Sequence, residues 1–98
     1  MASFTEIVNG DKPVLIDFHA DWCGPCKVLS PIIQEVAKEL DGKVRVIKID
    51  VDKNPALADK FQIRGVPTML LFKDGKSVWR QSGVLQKDEI IKQLASFA

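Results

Sequence analysis

The sequence predicts an α/β protein with a mixed central sheet of four strands and helices on both faces. Three observations predict it. Apolar residues recur with strand-like and helix-like periods in the order αβαβαββα. The strand–helix–strand run over residues 14–51 is a βαβ unit, so its strands are parallel with a right-handed crossover. Asp74-Gly75, between two strand patterns, is a hairpin signal that adds an antiparallel pair. A sheet with apolar residues on both faces needs a helical layer on each side.

The elements follow in order. Ser3 and Glu6 form a capping-box pattern, so a short first helix runs to about Asn9-Gly10. Val14-Leu15-Ile16-Asp17-Phe18 reads as a buried strand with one anomaly, the aspartate. After Cys23-Gly24-Pro25-Cys26 a helix begins, with Val28, Leu29, Ile32, Ile33, Val36, Ala37 and Leu40 as one apolar stripe. Pro31 lies inside it and removes one backbone bond, which predicts a kink; Asp41-Gly42 ends it. Val44 to Val51 is the next strand, and Asn54-Pro55 is an N-cap and first-turn pair for a helix through about Phe61. Thr68 to Phe72 is a continuous apolar run, expected of a strand buried on both faces. The hairpin then leads into Ser77 to Gln81. The last helix places Ile90, Ile91, Leu94 and Phe97 on one face. Phe18, Phe61 and Phe72 are core by default, and Trp79 is a structural strand residue.

Composition narrows the function. Ninety-eight residues suit one domain spanning residues 1–98. Fourteen basic against thirteen acidic residues, with no long block of either sign, argue against nucleic-acid and membrane-surface binding. No apolar run approaches a membrane span. The N-terminus lacks the basic and apolar regions of a secretory signal, so a cytoplasmic protein is expected. Two cysteines do not make a disulfide scaffold; a close pair is more often catalytic or metal-binding.

The position of that pair carries the chemistry. Cys23 follows the carboxyl end of an inner strand and opens a helix, where active sites of open α/β sheets collect. Unpaired N–H groups and the helix dipole favour an anion there. A Cys23 thiolate is thereby stabilised, and its pKa is expected below the free value of about 8.5. Cys26, one turn further in, is expected to be more buried and to act as the resolving thiol. Gly24 is expected to let the backbone turn tightly, and Pro25 suits the first helical turn. The alternatives are two inert thiols or a zinc site. His19-x3-Cys23-x2-Cys26 offers three ligands where structural zinc takes about four, so no metal is expected.

Asp17 shares a strand face with Leu15 and His19, opposite Val14, Ile16 and Phe18. Burial raises a carboxyl pKa and suits it to accept a proton near neutral pH; the plainer reading is a solvated strand end. Lys48, in phase with Val44 and Val46, is a candidate partner or an ordinary surface lysine.

Trp22-Cys23-Gly24-Pro25-Cys26-Lys27 resembles the active-site signature of the thioredoxin family, and the resemblance covers nearly the whole chain. In order along the chain, Asp17-Phe18 is similar to the family's buried acid and strand. Pro31 resembles its helix proline, and Lys48 the lysine beside the acid. Val66-Pro67-Thr68 is similar to the cis-proline loop facing the cysteines. Gly75 and Gly83 resemble the hairpin glycine and the glycine lining the substrate groove.

The resemblance implies a thioredoxin-like three-layer sandwich and reduction of protein disulfides. Cys23 would be nucleophile, Cys26 resolving thiol and Asp17 the proton acceptor acting on Cys26, with Cys23–Cys26 the redox-active disulfide. It implies no bound cofactor, recycling by an NADPH-dependent flavin reductase, and a monomer. Val66, Pro67 and Gly83 would line the groove, with Trp22 as an apolar flank. The cis isomer at Pro67 is implied by the resemblance alone, since most X-Pro bonds are trans.

Two departures stand out. His19 occupies a position where the family commonly has a tryptophan. It reads as a partly exposed spacer, or as a group that tunes the thiols with pH. The chain also begins almost at the first helix, where many relatives carry a strand. Residues 44–50 are therefore expected at a sheet edge, with Lys43 and Arg45 discouraging edge pairing. Three functions remain to be separated: a general disulfide reductase, a disulfide-forming or isomerising enzyme, and a binding subunit that uses the groove without chemistry. Gly24-Pro25 between the cysteines goes, in this family, with reducing proteins.

Overall fold

A computed structural model describes residues 3–97. Its elements are α1 (Phe4–Val8), β1 (Val14–His19), α2 (Gly24–Glu39), β2 (Arg45–Asp50), α3 (Pro55–Lys60), β3 (Thr68–Lys73), β4 (Lys76–Ser82) and α4 (Lys87–Ala95). The strand order is β2-β1-β3-β4. β1 and β2 are parallel, whereas β1–β3 and β3–β4 are antiparallel. The expected mixed four-stranded sheet is thus present, with β2 at one edge.

Strand alternation sorts the apolar side chains into two layers. Leu15, Met69 and Leu71 meet Leu29, Ile33 and Val36 of α2 and Ile90 and Leu94 of α4. Val14, Ile16, Phe18, Leu70 and Phe72 face the other way and pack with Val8, Leu57 and Phe61 near α1 and α3. The rings of Phe4, Phe61 and Phe72 form a triad with centroids 5.3–5.4 Å apart, which ties both short helices to the sheet. β1 and β3 are buried along nearly their whole length, as the unbroken apolar runs predict.

The hairpin turn is of the expected kind. Asp74 and Gly75 both have positive φ, 52° and 79°, as a two-residue turn of the I′ type requires. Ser3 caps α1, its Oγ accepting from the Glu6 N–H at 3.2 Å. α2 continues as one helix through Pro31, whose side faces solvent.

Three local expectations need correction. Val28 leaves the α2 stripe and is 56% exposed, because it lies off the arc through Leu29, Ile33 and Val36 that meets the sheet. Asn54 occupies the N-cap position of α3 without capping it; its amide instead donates to the Asp50 carbonyl at 3.0 Å. Gly24 has no left-handed φ, and a Cβ built there meets no atom within 4 Å. The helix simply starts from an extended Cys23, so the turn does not require glycine.

Candidate active site

β1 ends at His19, and the chain reaches α2 through Ala20, Asp21 and Trp22. Cys23 is the N-cap of α2, with extended backbone at φ −91° and ψ 112°. Its Sγ accepts from the Cys26 N–H at 3.1 Å, so a sulfur takes one of the helix's orphan donors. A helix N-terminus of this kind favours an anion, which a cysteine thiolate can supply. Cys23 and Cys26 form a disulfide, with Cα atoms 5.3 Å apart. The pair packs with Ala20, Val51 and Val66 in a small apolar cluster.

The expectation that Cys26 is the more buried thiol does not hold in the oxidised form. Cys23 is 3% and Cys26 4% exposed. Cys23 and Cys26 are bonded to each other, and the Val66 carbonyl oxygen lies 3.6 Å from the Cys23 sulfur. What distinguishes the two is their surroundings. Cys23 abuts the Val66 loop, whereas Cys26 borders a cavity of about 170 Å³ with His19, Ser30 and Lys48.

Asp17 is fully buried, and among the described residues neither of its carboxylate oxygens has a hydrogen-bond partner. Burial pushes its pKa up from the ordinary carboxylate value, while the charges of Lys48 and His19 pull partly the other way. The plainer reading of a solvated strand end is therefore wrong. Lys48 is Asp17's register partner on β2, which explains its influence. Its ammonium, however, donates to Ser30 Oγ rather than to the carboxylate, and the residue is exposed. β2 is an edge strand, so its long side chains reach solvent.

Val66–Pro67 is a cis peptide bond. The Gly83 N–H donates to the Pro67 carbonyl at 2.9 Å, and Gly83 has φ +87°. A Cβ at Gly83 would meet nothing within 4 Å, so its bare surface beside the loop is open. Trp22 is 70% exposed and flanks the same face together with Val51, Ile63 and Val66. Trp22, Cys23, Cys26, Val66, Pro67 and Gly83 thus lie around the head of α2 and the loop before β3, whereas Asp17 and Lys48 sit within β1 and β2.

Several contacts were not foreseen from the sequence. The Trp22 indole donates to Asp52 Oδ2 at 2.8 Å, which fixes the exposed ring. Thr68 Oγ1 donates to the Gly65 carbonyl at 2.7 Å, bracing the Val66–Pro67 loop from β3. His19 is half-buried and stands with Asp21 and Asp50, their polar atoms within 4.8 Å of one another; the cysteines are not in that group. Nothing in local spacing signals the pairing of residues 22 and 52. The proximity of His19 to Asp50 follows only from the parallel register.

Comparison with known proteins agrees with this geometry. The thioredoxin family model matches residues 1–96. A thioredoxin-like protein of Synechocystis sp. is 47% identical over 98% of this chain and 92% of its own length. A thioredoxin of Rickettsia felis is 48% identical over 88% of this chain and 82% of its own. Thioredoxin Y, a chloroplastic protein of Oryza sativa, is 44% identical over 97% of this chain and 57% of its own. The paired cysteines at the head of α2 therefore have the family context that their chemistry calls for: the chain belongs to the thioredoxin family and is a thiol–disulfide oxidoreductase.

Proposed function

We propose that this protein reduces disulfides of other proteins, with Cys23 as nucleophile and Cys26 as resolving thiol. The observation that carries the assignment is Cys23 at the N-cap of α2, its sulfur facing the Cys26 N–H and bonded to the Cys26 sulfur. The Cys23 thiolate attacks one sulfur of a substrate disulfide. A Cys23–substrate disulfide forms, and the other substrate sulfur leaves as a thiolate that takes up a proton. Cys26 then loses its proton and attacks Cys23 Sγ. The intramolecular disulfide forms, the second substrate thiolate leaves, and two electrons have passed to the substrate.

Asp17 is the proton acceptor for Cys26, through water. Its support is a buried carboxylate with a raised pKa and no hydrogen-bond partner among the described residues, on the strand that precedes α2. Lys48 acts on this acid through its charge, from the facing register position. Trp22, Gly24, Pro25, Val66, Pro67 and Gly83 form the docking surface for an extended substrate segment. The open backbone at Gly83 and the exposed Trp22 face support that part.

The chain works as a single-domain monomer in a reducing compartment, the cytoplasm, and binds no cofactor of its own. An NADPH-dependent flavin reductase returns the dithiol. Gly24-Pro25 between the cysteines supports the reducing over the disulfide-forming role, and two intact cysteines weigh against a purely binding subunit. No helix among the described residues is long and apolar enough to cross a membrane.

The test is a trap. Cys26→Ser is expected to accumulate mixed disulfides with client proteins through Cys23, released by dithiothreitol, and Cys23→Ser/Cys26→Ser to accumulate none. Full biological effect from the double variant would instead establish the binding role.

A further inference from the structure

We propose that Arg80 is a positioning residue for the docking surface: its guanidinium holds the segment 61–67 that sets Val66 against Cys23. Arg80 lies on edge strand β4, opposite Leu70. It therefore shares the sheet face that carries Leu70 and Phe72, against which Phe61 packs. From there it donates through Nη1 to the Phe61 carbonyl at 2.7 Å and through Nη2 to the Gln62 carbonyl at 2.8 Å. One planar fork thus binds two consecutive carbonyls.

Those carbonyls sit where the chain leaves α3. Phe61 is the C-cap of α3, and its carbonyl has no helical partner. Gln62 is the next residue and has φ +52°, a left-handed conformation disfavoured for a residue with a Cβ. Gln62 N–H bonds to Asp59 O at 3.0 Å and Ile63 N–H to Ala58 O at 2.9 Å, the two bonds of a Schellman ending. That ending usually takes glycine, and here it takes glutamine. Arg80 therefore supplies, from a distant strand, bonds that hold a turn its own sequence disfavours.

The turn matters for its direction. Four residues beyond Gln62 lies Val66, whose carbonyl is 3.6 Å from Cys23 Sγ. Downstream, Thr68 Oγ1 anchors the segment at the Gly65 carbonyl. Arg80 anchors its upstream end. Between the anchors, Ile63, Arg64, Gly65 and Val66 share one surface with Trp22 and Val51. A loop fixed at both ends presents its backbone to a substrate strand at lower ordering cost. The role rests on the docking reading above, and Arg80 reaches the chemistry only through that loop.

The experiment compares two disulfides: insulin, whose peptide backbone can engage the docking surface, and cystamine, a small disulfide without a peptide backbone. Arg80→Met is expected to raise the insulin KM about 3- to 10-fold with kcat within about twofold, and to change cystamine reduction less than about twofold. Arg80→Lys, which keeps the charge but not the planar fork, is expected to fall between the two. An unchanged insulin KM, or equal losses on insulin and cystamine, overturns the proposal. Val66→Pro, which deletes the Val66 N–H, separates the two readings. If it also leaves the insulin KM unaltered, the docking reading itself is wrong. If it raises the KM while Arg80→Met does not, only the role of Arg80 is lost.

Discussion

Asp17 places a carboxyl group, with no hydrogen-bond partner among the described residues, in the middle of the sheet. Such a group costs on the order of 1–3 kcal/mol, and more when charged. Its raised pKa fixes the sign of the pH dependence. The folded protein holds the proton more tightly than the unfolded chain. Stability from this site is therefore fully present below the unfolded carboxyl value of about 4 and is lost as pH rises through the folded value. Asp17→Ala is expected to stabilise the protein at pH 7, by an amount that shrinks as denaturation is repeated down to about pH 4, where only the burial cost of the neutral carboxyl remains. Asp17→Asn is expected to slow exchange at pH 7 by up to about 100-fold and to recover at alkaline pH, where Cys26 ionises unaided. Rates equal to the parent across pH would retire the proton role. Much of this residue was legible in advance, since an acid in an apolar strand is anomalous in any sequence. That the Lys48 ammonium turns to Ser30 was not, because a side-chain rotamer leaves no trace in strand alternation.

At the scale of elements, the signals that could be read were those with a local physical cause. Asp74-Gly75 announced the hairpin because few other residue pairs accept two positive φ values. Gly75→Ala should therefore cost about 1–2 kcal/mol in denaturant unfolding. The loss falls on the hairpin and on the Gly75 N–H bond to the Val8 carbonyl, 3.1 Å long, which joins the turn to α1. A midpoint equal to the parent's would show that the turn has relaxed to another type. Signals without a local cause misled. Val28 fits a helical stripe by spacing, but whether a residue at its margin is covered depends on where the sheet ends. Asn54 is a good cap by type, yet the turn at Asp50 captures its amide. The left-handed Gln62 was invisible, since its partner Arg80 lies eighteen residues away.

Over the whole molecule, the parallel β1–β2 pair, the α2 N-terminus and the Val66 loop bring four separated segments to one end of the sheet. Periodicity and the Trp22–Lys27 motif sufficed for the architecture and for the dithiol. The contacts that fix the rim, Trp22 to Asp52 and Arg80 to Phe61 and Gln62, arise only when these segments meet. The account as a whole depends on one property of this assembly: that the α2 N-terminus holds the Cys23 sulfur as an anion in the reduced protein. Its most direct measurement is the rate of alkylation of each cysteine in the reduced protein as a function of pH, read by peptide mass. The prediction is that Cys23 reacts first, with an apparent pKa below the free value of about 8.5, while Cys26 stays protected. A Cys23 that titrates at or above that value, or a Cys26 that reacts before it, would contradict the account.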